Sequence, residues 1–188
     1  MRLIRWRLSS GISDTAFLSL LLVGSLCANL WMGLRMRRLI RPESVAVTGV
    51  MMPQLTCTDL TGRPETIIFS GAKKPTVLYV FSPECHWCAR NLNNIKTLAA
   101  ARTDLRFIGI SLSDATLNAY VQSSRLNFPV CSIPSYGSIH ELKLGGTPQT
   151  IVIAPDGRVS RNWIGAYTDD ELKEIQRYFG AKLPGLGS

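Results

Sequence analysis

The chain has 188 residues and a formal charge of +8, a length that suits one domain of ordinary size plus an appendage. A domain of about 140 residues buries enough surface to fold without disulfide staples, and five cysteines at irregular spacing do not read as a disulfide framework. The charge excludes little by itself but does not mark a nucleic-acid binder: seven arginines and one acid lie up to residue 41, and beyond it basic and acidic residues are nearly balanced, with no basic stripe interleaved with aromatics.

Residues 1–14 form a basic amino-terminal segment. Thr15 to Leu34 then carries no charged residue. Twenty positions make a helix of about 30 Å, the thickness of a bilayer core. Arginines close both ends, where anionic headgroups would attract them, and Trp31 sits near one end as an interface anchor would. A cleaved signal peptide would have a shorter apolar region and a small-x-small site, which only Cys27-Ala28-Asn29 approximates. Residues 15–34 are therefore expected to be a transmembrane anchor in contact with lipid, and Cys27 a small apolar residue within it. Three arginines precede the span and four follow it closely, so the positive-inside rule does not choose an orientation.

Residues 35–50 read as a linker and 51–180 as the globular domain. Met52 to Phe69 is two alternating stretches around the Asp59–Gly62 turn, a β-hairpin. Val77 to Phe81, Leu105 to Ser111 and Thr150 to Ala154 are short apolar runs of the kind found in strands buried on both faces. Cys88, Leu92, Ile95 and Ala99 fall at helical spacing, with Arg90, Asn94 and Lys96 on the opposite side. Asp114 to Arg125 is a second helix facing inward through Leu117, Tyr120 and Val121. A short strand and a short helix follow. Pro155-Asp156-Gly157 is a turn, and Arg158 to Ile164 returns antiparallel. Thr168 to Glu171 is a capping box. It opens a helix with Leu172, Ile175 and Phe179 on its apolar face, ended by Gly180. Residues 181–188 are expected to be a flexible tail. The order gives an α/β fold, a central mixed sheet flanked by helices.

The chemistry-bearing run is Cys85-His86-Trp87-Cys88. A buried strand ends at Phe81, a tight Ser82-Pro83-Glu84 connection follows, and a helix begins near Cys85. The first sulfur then lies over unpaired N–H groups at the positive end of the helix dipole, which favours thiolate over thiol. Two intervening residues bring Cys88 within disulfide range. The first sulfur attacks a substrate disulfide and the second resolves the mixed disulfide. Zinc would need a second pair of ligands. With only His86 and His140 and no second CxxC, no metal is expected. A purely structural disulfide between such close neighbours would gain little entropy. His86 as imidazolium would stabilise the thiolate. Trp87 is a contact surface for substrate chains, and Glu84 would oppose thiolate formation if it pointed inward. Cys57 and Cys131, in or beside predicted strands, read by default as small buried residues, the alternative being a relay or resolving role.

The CxxC after a buried strand and the later run Gly145-Gly146-Thr147-Pro148-Gln149-Thr150 resemble the thioredoxin superfamily. The hairpin, the FPVCSIPS insert and TPQTIVIAPDGRV are similar to its membrane-anchored redoxins of the TlpA/ResA type. The resemblance covers roughly residues 50–180. It implies a thioredoxin-like fold with an amino-terminal hairpin, a redox-active Cys85–Cys88 disulfide and no other cofactor. It also implies a cis Pro148 facing the cysteines, with the Thr147 backbone free to pair with a substrate chain. Protein disulfides or dithiols would be the substrates, a membrane-embedded electron-transfer protein the partner, and the periplasmic side of a bacterial inner membrane the location. Three positions depart from the pattern: Tyr79 replaces a buried carboxylate below the cysteines, Glu84 an aromatic residue, and Asn93 a helix-kinking proline. A peroxiredoxin-type thiol peroxidase and a non-catalytic docking or chaperone module are the alternatives. For the former, Ser82 fits one signature position and Leu78 departs from the other.

Overall fold

A computed structural model describes residues 14–39, 47–133, 142, 144 and 146–187. The chain divides into two compact units, Met1–Pro42 and Glu43–Ser188. In the first, helix α1 spans Asp14–Leu39. Its side chains from 16 to 35 are exposed and mostly apolar on every face, as those of a helix surrounded by lipid would be. The stretch Ala16–Arg35 is long and apolar enough to cross a membrane, a property that signal sequences share.

In the second unit the strands are β1 (Leu55–Asp59), β2 (Pro64–Ile67), β3 (Thr76–Phe81), β4 (Arg106–Ser111), β5 (Val130–Ser132), β6 (Gln149–Ile153) and β7 (Val159–Ile164). The helices are α2 (His86–Ala101), α3 (Leu117–Ser124) and α4 (Asp169–Phe179). One sheet runs in the order β2-β1-β5-β4-β3-β6-β7. β3, β4 and β5 are parallel, while β6 is antiparallel to β3 and β7 to β6. This is the mixed sheet expected from the sequence. The short helix expected between β5 and β6 falls on residues outside the described set, as do Gly145, His140 and most of the basic segment 1–14.

All six residues of β3 are buried. Its alternation divides the core: Leu78 and Val80 face one cluster with Leu55, Ile67, Ile108 and Ile151. Val77, Tyr79 and Phe81 face the other, with Cys88, Ile95 and Leu98 of α2 and Ile175 and Phe179 of α4. Such two-sided burial is why the strand reads as a continuous apolar run. Gly109 on β4 allows close packing here, since a Cβ would meet Val130, Phe128 and Phe81 at 3.0–3.2 Å. The hairpin turn is tied by Asp59, whose Oδ1 accepts the N–H groups of Thr61 and Arg63, each at 2.8 Å.

Several expectations are corrected. The linker 35–50 is shorter than the sequence suggested. Helix α1 continues to Leu39 through good helix formers, and the other end is stitched to β7: Gly49 N–H donates to Val159 O at 2.7 Å and Val159 N–H to Val50 O at 2.9 Å. The residues 181–187 of the expected loose tail are docked. Leu183 is buried, its N–H donates to Gln176 Oε1 at 3.0 Å, Gly185 N–H donates to Asn94 Oδ1 at 2.9 Å, and Gly187 pairs with Arg90. The Thr168–Glu171 capping box does not form: Thr168 is the N-cap in extended backbone but makes no side-chain cap bond. Glu171 lines a groove beside Trp87 instead, and the acids of the first turn meet the helix dipole directly.

The largest correction concerns Cys57 and Cys131. Both are buried as expected, but they are joined in a disulfide with Cα atoms 5.8 Å apart. The cause is a pairing between distant segments. β1 lies antiparallel to β5 with Asp59 opposite Cys131, which puts Cys57 on the same face, diagonal to Cys131 and within bridging distance.

Candidate functional site

Strand β3 delivers the chain to the top of the sheet at Phe81, and Cys85 N–H donates to Ser82 O at 3.1 Å, closing the connection in one turn. Cys85 is the N-cap of α2, with extended backbone. Its sulfur takes the place of a capping oxygen and accepts the N–H of Cys88 at 3.2 Å. Caps ordinarily use serine, threonine or aspartate because the first turn leaves N–H groups unpaired. A cap sulfur receives the same N–H dipoles. Opposite lies Thr147, whose carbonyl oxygen is 3.5 Å from the Cys85 sulfur, and the Thr147–Pro148 peptide is cis. The structure thus brings together the two cysteines, Thr147 and Pro148, 62 residues apart in sequence.

The two thiols differ. Cys85 is half-buried and Cys88 fully buried, and both are free. Burial first, and then the neighbouring Cys85 sulfur, push the Cys88 thiol up to about 12. The half-buried thiol of Cys85 is thus the more accessible of the two, and burial keeps Cys88 protonated.

The flanking residues divide. Trp87 is 47% exposed; the Arg90 guanidinium lies 5.2 Å over its ring and the His86 ring meets it edge-on at 5.7 Å. With Thr147, Pro148, Ile164 and Glu171 it lines a shallow groove of about 270 Å³ beside the cysteines. Glu84 is engaged elsewhere: it accepts from the hydroxyls of Ser82 at 2.5 Å and Thr116 at 3.4 Å, and these bonds, the Ser82 one foremost, hold its carboxyl below the usual range.

Sequence reasoning missed the polar floor of the site. Asn91 and Asn94 are fully buried, whereas helical spacing puts Asn94 on the solvent face of α2. The amide Nδ2 of Asn94 donates to Asn91 Oδ1 at 3.0 Å, and Tyr167 N–H donates to the same oxygen at 3.2 Å. Tyr167 and Thr150 share a hydroxyl–hydroxyl bond of 2.7 Å. Asn91 lies three residues after Cys88, directly beneath it on a helix; that spacing was the available signal.

No protein-family model matches the chain. It is 32% identical over 92 residues to the soluble secreted antigen MPT53 of Mycobacterium tuberculosis, a match covering 46% of this chain and 50% of that protein. The chain thus spans about half the length of the curated relatives it matches. Among solved structures it is similar to a secreted Mycobacterium tuberculosis disulfide oxidoreductase homologous to DsbE of E. coli. There the TM-score is 0.55 with 24% identity, over 68% of this chain and 95% of that one. It is also similar to the thioredoxin domain of a thiol-disulfide oxidoreductase from Bacteroides vulgatus, with TM-score 0.58 and 18% identity over 71% and 97% of the two chains. The fold of the second unit is thioredoxin-like.

Proposed function

We propose that this chain is a thiol–disulfide oxidoreductase acting on protein disulfides or dithiols. The observation that carries the reading is the Cys85 sulfur at the N-cap of α2, accepting the N–H of Cys88 while that thiol lies buried behind it. Cys85 attacks a client disulfide, giving a mixed disulfide and a released client thiolate. Cys88 then attacks the Cys85 sulfur, expelling the second client sulfur and closing Cys85–Cys88. A dithiol client runs the sequence in reverse. The pair itself carries the two electrons, so no further cofactor is required. The groove with Trp87, Thr147 and Pro148 receives the client chain.

Helix α1 anchors the domain to a bacterial inner membrane, and the domain faces the periplasm. Support for that side comes from the buried Cys57–Cys131 disulfide, because such bonds persist in oxidising compartments and are rare in the cytosol. A membrane-embedded electron-transfer partner would recharge the pair.

The test uses the full chain in detergent with a disulfide-bonded protein client. Cys88→Ser should accumulate a mixed disulfide through Cys85, and Cys85→Ser none. Absence of both exchange by the wild type and trapping by Cys88→Ser overturns the proposal. A membrane-impermeant maleimide applied to intact spheroplasts should label Cys85; labelling only after lysis would place the domain on the cytoplasmic side.

A further inference from the structure

On the side of the sheet that holds the resolving thiol, three buried polar atoms have no hydrogen-bond partner: Tyr79 Oη, Tyr120 Oη and Asn91 Nδ2. A buried polar group left without a partner is destabilising, so three of them in this part of the core call for a reason. Tyr79 is 1% exposed and projects from β3 into the same cluster as Cys88. Tyr120 reaches in from α3, its ring 5.5 Å from that of Phe81, and Asn91 comes from α2 itself.

The orientation of Asn91 is fixed. Its Oδ1 already accepts from Asn94 Nδ2 and Tyr167 N–H, so its free end is the donor Nδ2. Asn91 is a neighbour of the Tyr79 hydroxyl and holds the phenol's pKa down against burial, foremost, and against the nearby Cys88, Tyr167 and Tyr120, all of which raise it. With no partner of its own, the phenol O–H is free to donate.

We propose that the Tyr79 hydroxyl is the hydrogen-bond donor to the Cys88 sulfur as it becomes thiolate in the resolving step, with Asn91 as the positioning residue that aims it. The inference rests on the exchange function proposed above. In that step the Cys88 S–H bond breaks and its proton passes to solvent. The thiolate attacks Cys85, the Cys85–Cys88 bond forms, and the Cys85–client bond breaks. The departing client sulfur keeps the electron pair and takes a proton. The client is reduced and the cysteine pair oxidised. Tyr79 remains protonated throughout; it donates a hydrogen bond and is not a base. The other titratable groups facing Cys88 are Cys85 from the N-cap and Tyr120 from α3. Tyr167 lies one shell further out, against Asn91 and Thr150.

The experiment isolates the step. The reduced full chain in detergent is mixed with the disulfide of 5-thio-2-nitrobenzoate. The first coloured thiolate reports attack by Cys85 and the second reports resolution by Cys88, each followed by stopped flow from pH 6 to 10. Tyr79→Phe keeps the ring and removes only the hydroxyl. The expected result is a second phase slowed about tenfold at pH 7, its pH profile displaced upward by about one unit, with the first phase unchanged. An unchanged second phase, or equal slowing of both phases with the same profile, overturns the proposal. So does the full displacement appearing in Tyr120→Phe and not in Tyr79→Phe. A wild type that releases no second thiolate overturns the exchange function itself, and this proposal with it, which a normal wild type with an unaltered Tyr79→Phe does not.

Discussion

The sulfur of Cys85 is held at 3.2 Å by the backbone N–H of Cys88, the residue whose own sulfur attacks it in the proposed exchange. One turn of helix therefore serves both halves of the exchange. It points the first sulfur outward against a donor, and it keeps the second behind in the core.

This asymmetry predicts selective alkylation. With its pKa pushed up to about 12, Cys88 at pH 7 is thiolate in only about one molecule in 10⁵. Iodoacetamide at pH 7, followed by mass spectrometry of the reduced chain, should modify Cys85 and leave Cys88 untouched. Comparable modification of the two would contradict the burial of Cys88.

The same burial sets the alkaline limit of the reduced form. Cys88 rises from an ordinary value of 9.0 to about 12, and Tyr79 and Tyr120 are raised too, each chiefly by burial. The folded state keeps protons that the unfolded chain gives up above about pH 9. Unfolding then releases protons, and stability falls as pH rises through the window from 9 to 12. Closing the Cys85–Cys88 bond removes both thiols, the raised Cys88 among them, so the oxidised form should lose less. Thermal midpoints of both forms at pH 8 and pH 10.5 measure the difference; equal losses would count against it.

The Cys57–Cys131 bond closes a loop of 74 residues in sequence. Replacing both cysteines by serine should lower unfolding stability by about 2–4 kcal/mol. Denaturant titration in a Cys85→Ser/Cys88→Ser background isolates the effect, and a midpoint unmoved by the double replacement would show that the bridge contributes nothing.

Leu183 anchors the docked tail with a buried side chain. Leu183→Ala should cost about 2–3 kcal/mol and shift the urea midpoint accordingly. A truly loose tail would leave the midpoint within about 0.5 kcal/mol of wild type.

Much of this was legible because it is local. The run from Val77 to Phe81 declares a strand buried on both faces, and four residues from Cys85 to Cys88 declare the dithiol at a helix start. What was not legible depends on contacts between distant segments. Cys57 and Cys131 read as two unrelated small residues because nothing nearby says that β1 will lie against β5. Asn94 read as a surface residue because polar side chains on a helix usually are; its burial depends on a tail 91 residues later supplying the Gly185 N–H. The capping box matched its motif, but the motif cannot show that Glu171 turns instead to the groove beside Trp87.

The bridge between β1 and β5 has a consequence for how the sheet opens. A hairpin at a sheet edge normally frays by itself, as a small cooperative unit of low protection. Here β2 is hydrogen-bonded to β1, and β1 is covalently tied to β5, which pairs with β4 in the centre. Amide protons of the hairpin should therefore exchange together with those of β5, at the free energy of a deeper opening. Reducing that one bond would split the molecule into an edge that breathes and a centre that does not.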